Sequence, residues 1–302
     1  MSTNAPTIAV VTIVHGRHAH LDRQLHGLAR QTKSVDLHVV VAMDDPEVEQ
    51  VVASRPAARR TRVVDVARRG PQLPLAAARN RGVEVALAAG ADRLVLLDVD
   101  CIPSPGLVER YADALATQSG PQLPQSDPWA PLVWCGEVAY LPPAPGGRDY
   151  LELDLDTLAD PHPARPVLRP DEVRAGTDLN LFWSLSFALT ARSWAAIGGF
   201  DETYVGYGGE DTDFAQRLRV AGGGLRWIGG ARAHHQHHPT SSPPVAHLHD
   251  VVENANRFAQ RWGWWPMEGW LDAFAELGLA RRRPGGAWEV TAGADEDTRP
   301  RA

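Results

Sequence analysis

The sequence predicts an α/β fold, with a mostly parallel central sheet flanked by helices. Short β-branched apolar runs recur through roughly the first hundred residues, each followed by a stretch with helical spacing. Two of these runs, Ile8 to Val14 and Leu94 to Leu97, are apolar without alternation, as strands buried on both faces are. Strand and helix therefore take turns, which is the pattern of a doubly wound, Rossmann-like sheet.

Ile8-Ala9-Val10-Val11-Thr12-Ile13-Val14 is the first strand, broken by His15-Gly16-Arg17. From about His18 to Gln31, Leu21, Leu25 and Leu28 fall at helical spacing. Leu37 to Val41 is the second strand, ending at Asp44-Asp45-Pro46, and Arg62 to Val66 is the third. Leu75 to Ala89 is rich in alanine and reads as a helix ended by Gly90. The run Arg93-Leu94-Val95-Leu96-Leu97 then leads straight into Asp98-Val99-Asp100. Side chains on a strand alternate, so Asp98 and Asp100 point the same way at its carboxyl end. That end is where open α/β sheets bind ligands.

After Thr117 the composition changes. Residues 117–131 read as a surface loop, and Val133 to Leu141 returns to a strand. Residues 142–178 are dense in Pro, Asp and Arg, with a short helix expected near Leu151 to Leu158. So long a segment of weak order is usually functional or disordered. Phe182 to Thr190 and Leu225 to Ile228 are strand-like, with a helix from about Glu210 to Ala221 between them. His247 to Arg261 and Met267 to Leu279 read as closing helices, and the Gly-rich, acidic tail after Arg283 as disordered.

A chain of 302 residues buries roughly 75% of its unfolded surface and needs no covalent staples. A net charge of −7 argues against nucleic acid as a partner. No apolar run is long enough to span a membrane, and Met1 to Pro6 lack the basic and apolar regions of a signal peptide. With only Cys101 and Cys135, a reduced, cytoplasmic setting is the expectation. Cys101 has no recognisable activating partner and reads as structural.

Three groups of residues point to chemistry. Asp98 and Asp100 are hard oxygen ligands suited to Mg²⁺ or Mn²⁺, ions that commonly also grip a substrate's phosphates. Next come Gly198-Gly199-Phe200-Asp201-Glu202 and Gly206-Tyr207-Gly208-Gly209-Glu210-Asp211-Thr212-Asp213. Acids in a first helical turn are favoured by the helix dipole alone, but the paired glycines before them are not explained that way. A carboxylate held there, expected to stay ionised, can take a proton from a hydroxyl. Third, His234-His235-Gln236-His237-His238 supplies imidazoles, of which at least one is expected on a metal. Trp183 could stack on a sugar face or simply fill the core. Trp262, Trp264 and Trp265 read as packing for the closing helices.

Together these motifs, in this order, resemble a nucleotide-sugar-dependent glycosyltransferase of the GT-A fold, in the large family 2 group, with a galactosyltransferase-type C-terminal region. The resemblance spans residues 7–240. It implies a nucleotide-sugar-binding half (7–116), an acceptor-binding half (132–240), a helical extension (241–283) and a tail (284–302). It places Thr12, His15 and Arg17 along the nucleotide, Asp44 on the base or ribose, and Arg79 and Asn80 of Ala78-Arg79-Asn80-Arg81-Gly82 beside it. Asp98 would touch the donor, and the metal would be held by Asp98 and Asp100 with His235 or His238. Asp201, Gly209 and Glu210 would meet the acceptor, with Trp183. Asp211 would be the base, with Glu210 sharing or supporting that role. The implied reaction moves a sugar from a nucleoside diphosphate donor, a UDP-sugar by default, to a hydroxyl of a glycan, lipid-linked sugar, peptide or small molecule, with inversion. Two other readings stand beside it. One is a nucleotidyltransferase or metal-dependent hydrolase on a similar sheet; the other is a non-catalytic sugar-nucleotide or glycan-binding protein.

Overall fold

The computed structural model describes residues 7–55, 60–117 and 129–292. The expected leaderless start (Met1 to Pro6), most of the 117–131 loop and the last part of the tail lie outside them.

The sheet is the organising element. Its strands are β1 (Ile8–Val14), β2 (Leu37–Met43), β3 (Thr61–Val66), β4 (Arg93–Leu97), β5 (Cys101–Pro103), β6 (Leu132–Tyr140), β7 (Asp160–Pro161), β8 (Val173–Gly176), β9 (Ser186–Thr190) and β10 (Gly224–His235). Their order is β3-β2-β1-β4-β9-β6-β10-β5, with β7 against β6 and β8 against β10. The first four run parallel. β9 enters antiparallel between β4 and β6, whereas β6 and β10 pair parallel. Nearly every residue of β1, β2 and β4 is buried, which is why those segments carry no polar alternation.

Helices α1 (His18–Ala29), α2 (Val48–Ala53), α3 (Leu75–Ala88), α4 (Leu107–Thr117), α5 (Leu155–Leu158), α6 (Ala191–Ile197) and α7 (Glu210–Val220) flank the sheet. Alternation along β1 splits its side chains between two cores. Ala9, Val11 and Ile13 pack with α3, α6 and α7, while Ile8 and Val10 pack with α4. α8 (Leu248–Trp262) and α9 (Glu268–Glu276) build a separate small core with the hairpin β11 (Ala280–Arg282) and β12 (Trp288–Val290).

Two expectations need correction. The fourth strand stops at Leu97, and Asp98 to Asp100 form a turn closed by the Cys101 N–H on the Asp98 carbonyl at 2.9 Å. Strand alternation therefore does not set their directions. Residues 284–292 are not a disordered tail: Trp288 is buried and exchanges hydrogen bonds with Asn256 at 2.8 and 2.9 Å. Residues 142–178 are ordered, with α5, β7, β8 and several tight turns.

Within β10 the ladder shifts between Ile228 and Ala233. A Cβ on Gly229 would collide with the Arg169 carbonyl, so the strand passes under the 142–178 segment only because that residue is glycine. The shift re-aims the end of β10, which delivers His234 and His235 to the sheet's carboxyl edge.

Candidate active site

The carboxyl ends of β1, β4 and β10 and the N-terminus of α7 converge on two clusters of charge joined by the Asp98–Asp100 turn. The first surrounds Asp100. Its Oδ2 receives Arg17 Nη1 at 2.7 Å and lies 3.7 Å from His238 Nε2; His20 Nε2 lies 3.9 Å from Oδ1. Asp100, His235 and His238 each offer a ligand atom, and these atoms lie within 4.8 Å of one another. Burial pulls the His235 pKa down to about 4, so its ring is neutral and a lone pair is free at neutral pH. Asp100 Oδ1 and His20 Nε2 are enclosed without hydrogen-bond partners. A carboxylate and two imidazoles are a sound donor set for Mn²⁺ and a poorer one for Mg²⁺, which prefers oxygen. The residues present fit a divalent cation.

The four clustered histidines divide by role. His234 turns to Asp156 at 3.0 Å, and His237 is not part of the triad. Gln236 is fully buried and stitches the region together. Its N–H donates to the Asp100 carbonyl at 2.7 Å, its Nε2 to the His20 carbonyl at 3.1 Å, and its Oε1 accepts from Arg23.

The second cluster surrounds Arg79, which is 5% exposed. Its Nη2 lies 3.4 Å from Asp98 Oδ1 and its Nη1 3.4 Å from Glu210 Oε1. Burial opposes its charge, but Asp98, Asp211 and Glu210 outweigh burial and hold it protonated. Burial also raises Glu210 to about 7, helped by Asp211, and Asp98 to about 6. Glu210 thus departs from the expectation that a carboxylate at this turn stays ionised. Asp98 faces Arg79 and is not in the triad of candidate ligands.

Gly208 and Gly209 (φ 93° and 90°) bring the chain into α7 in a left-handed conformation that suits glycine. Asp211 follows in the first turn. Its Oδ2 accepts from the Ser184 N–H at 2.9 Å, and its Oδ1 is enclosed without a partner. Trp183, next to Ser184, is half-buried, with the Arg165 guanidinium 4.3 Å from its ring centre and His162 edge-on at 4.7 Å.

Several expected positions carry contacts within the chain. Thr12 is fully buried, with its hydroxyl bonded to Gln24 at 2.9 Å and His38 at 3.1 Å, so it supports α1 rather than lining a ligand site. Asn80 gives both ends of its amide to the 198–202 turn, bonding Phe200 N, Phe200 O and Glu202 Oε1 at 2.9 Å each. Asp201 is taken up by Thr203 and Arg261. His15 Nδ1 bonds the Met43 carbonyl at 2.8 Å, and exposed Asp44 lies 3.2 Å from Arg68. Asp45, not singled out in the sequence, ties β2 to the turn after β1 through Gly16 N at 2.7 Å and His18. His20 and Arg165 also escaped sequence reading, since no motif marks them.

Residues 171–239 match the family described as the N-terminal domain of galactosyltransferase. Over 245 residues the chain is 28% identical to a validoxylamine A glucosyltransferase of Streptomyces hygroscopicus subsp. jinggangensis, covering 73% of this chain and 53% of that one. A second such enzyme, from subsp. limoneus, is also 28% identical. The chain spans about half the length of these curated relatives. Among solved structures, GalNAc-T7 with UDP, GalNAc and Mn²⁺ superposes with a TM-score of 0.52 at 17% identity, covering 91% of this chain and 57% of that one. TarS of S. aureus gives 0.53 at 12% identity, covering 84% and 39%. The fold is GT-A.

Proposed function

We propose that this chain of GT-A fold is a glycosyltransferase. It moves a sugar from a nucleoside diphosphate donor, a UDP-sugar in the first instance, to an acceptor hydroxyl with inversion. The observation that carries this reading is Asp211. One oxygen is fixed by the Ser184 N–H and the other is enclosed and unpartnered, beside an Arg79 that gathers Asp98 and Glu210. The curated relatives are named as glucosyltransferases, which supports the same reaction class.

A Mn²⁺ or Mg²⁺ ion held by Asp100, His235 and His238 would supply positive charge to offset that of a departing nucleoside diphosphate. The remaining steps belong to the chain. Arg79 orients Asp98 and Glu210, and Arg17 adds a second positive charge at Asp100. Glu210, titrating near 7, can both donate to and accept from acceptor hydroxyls. Asp211 Oδ1 takes the acceptor proton as the new C–O bond forms and the bond to the diphosphate breaks. A single displacement needs one base and no enzyme nucleophile, and it inverts the anomeric centre.

Asp211→Asn should keep nucleotide binding, read as a UDP-induced rise in melting temperature with Mn²⁺, and lower turnover by about 10²-fold or more. Wild-type turnover in that variant removes Asp211 from the role. Nucleotide released equally fast with and without any acceptor would instead indicate a hydrolase. Asp100→Ala and His235→Ala should each abolish the part of UDP binding that a chelator removes from the wild type. UDP binding that ignores the chelator throughout would remove the cation from the site.

A further inference from the structure

The chemistry above leaves Arg165 without work. It lies in the 142–178 segment, is 7% exposed, and is stacked between Trp183 at 4.3 Å and Trp227 at 5.3 Å. Its Nη2 donates to the carbonyls of Leu181 at 3.1 Å and Trp183 at 3.3 Å, but its Nε and Nη1 are enclosed with no partner. Among the described residues no carboxylate forms an ion pair with it. An unpaired buried guanidinium is strongly unfavourable, because arginine keeps its proton where a lysine would shed it. No carboxylate among the described residues pairs with that charge directly, and Nε and Nη1 are left to take an anion.

The position says which anion. Trp183 gives its carbonyl to Arg165, and the next N–H, on Ser184, goes to Asp211. Asp211 Oδ1 is itself an enclosed atom without a partner, and Asp211 is the nearby carboxylate whose charge bears on Arg165. Two unmet groups of opposite sense thus flank the Trp183–Ser184 peptide, one wanting a hydroxyl and one an anion. A single ligand with both would satisfy them, with the Trp183 and His162 rings beside its carbon frame. The turn from His162 to Arg165 is the exposed backbone next to this side chain in sequence. That turn is exposed at Pro163 and Ala164 and closed by the Arg165 N–H on the His162 carbonyl at 3.0 Å. Nε and Nη1 are enclosed in this structure, so a ligand reaches them only after local movement.

We infer that the acceptor carries a carboxylate or phosphate near its reacting hydroxyl, and that Arg165 binds that group. This rests on the transferase reading. The test uses the full chain with Mn²⁺ and UDP, titrated calorimetrically with glucuronate, glucose 6-phosphate and neutral glucose. At least one anionic probe should bind tenfold or more tightly than glucose, and which one does separates carboxylate from phosphate. Arg165→Met and Arg165→Gln should erase that preference while UDP affinity stays at the wild-type value; Arg165→Lys should keep part of it. Equal binding of glucose and both anions by the wild type overturns the proposal, even if the variants fail to fold. So does a preference that survives Arg165→Met, or a loss of UDP binding in that variant, which would assign Arg165 to the diphosphate. Failure of UDP to bind the wild type counts instead against the transferase reading.

Discussion

Glu210 shows how one residue's surroundings set its chemistry. It sits in the first turn of a helix, where the dipole favours the ionised form, yet burial and the neighbouring Asp211 raise it from 4.5 to about 7. Arg79 at 3.4 Å only partly restores the charge. Because the folded value lies above the unfolded one, the folded state holds this proton more tightly. The corresponding stability is fully present below about pH 4.5 and is lost as pH rises through about 7. Glu210→Gln should therefore flatten the stability curve across that window, with wild type and variant diverging most at pH 8. Urea unfolding at pH 5 and pH 8 checks this. Parallel curves would mean that Glu210 is not perturbed. The same reasoning could not have been applied to the sequence alone, where Glu210 and Asp211 are adjacent and alike. Their contacts differ, Arg79 for Glu210 and the Ser184 N–H for Asp211, and both come from residues far away in the chain.

At the scale of elements, α3 shows what a close approach demands. Gly82 lies where the helix crosses β1 and β2, and a Cβ there would strike the Val11 side chain and come within 2.9 Å of Val41 Cγ2. Helix propensity favours alanine over glycine by about 1 kcal/mol, but overpacking costs about 1–3 kcal/mol. Gly82→Ala should therefore be neutral to about 2 kcal/mol destabilising, where propensity alone would stabilise it. A higher urea midpoint would show that the layers can separate freely. The buried strands themselves were legible, since runs such as Ile8 to Val14 admit few other readings. Where a strand ends was not: nothing in Leu97-Asp98 says that the ladder stops there, and the direction of each carboxylate depends on that end. The antiparallel insertion of β9 between β4 and β6 was hidden too, because pairing partners far apart in sequence leave no local mark. At the chain's end, glycine and charge suggested disorder, while Trp288, an indole seeking burial, was the contrary signal.

For the whole molecule, the C-terminal helices matter because they hold the glycine loop from outside. Asn254, 1% exposed on α8, donates to the carbonyls of Val205 at 3.0 Å and Tyr207 at 3.5 Å. Asp250 accepts from the Tyr207 N–H at 3.1 Å, and Trp262 donates to Asp213 at 2.8 Å. The Tyr207 ring stacks on His247 at 4.7 Å and Trp270 at 5.9 Å. The loop that aims Glu210 and Asp211 is thus fixed by a body with its own small core, whereas Arg17, Asp100 and His235 are fixed by the sheet. The two halves of the proposed site should then respond separately to damage. Asn254→Ala removes the donations from a buried amide that hold the loop, which costs about 0.5–1.5 kcal/mol for a hydrogen bond and loosens the loop. It should lower the melting temperature and reduce kcat/KM for the acceptor by about tenfold or more, a loss equivalent to about 1.4 kcal/mol at the transition state. Mn²⁺-dependent UDP binding, measured by calorimetry, should stay within about twofold of wild type. A parallel fall in UDP affinity would show that the helices brace the entire crevice, and the division between sheet-held and helix-held groups would have to be given up.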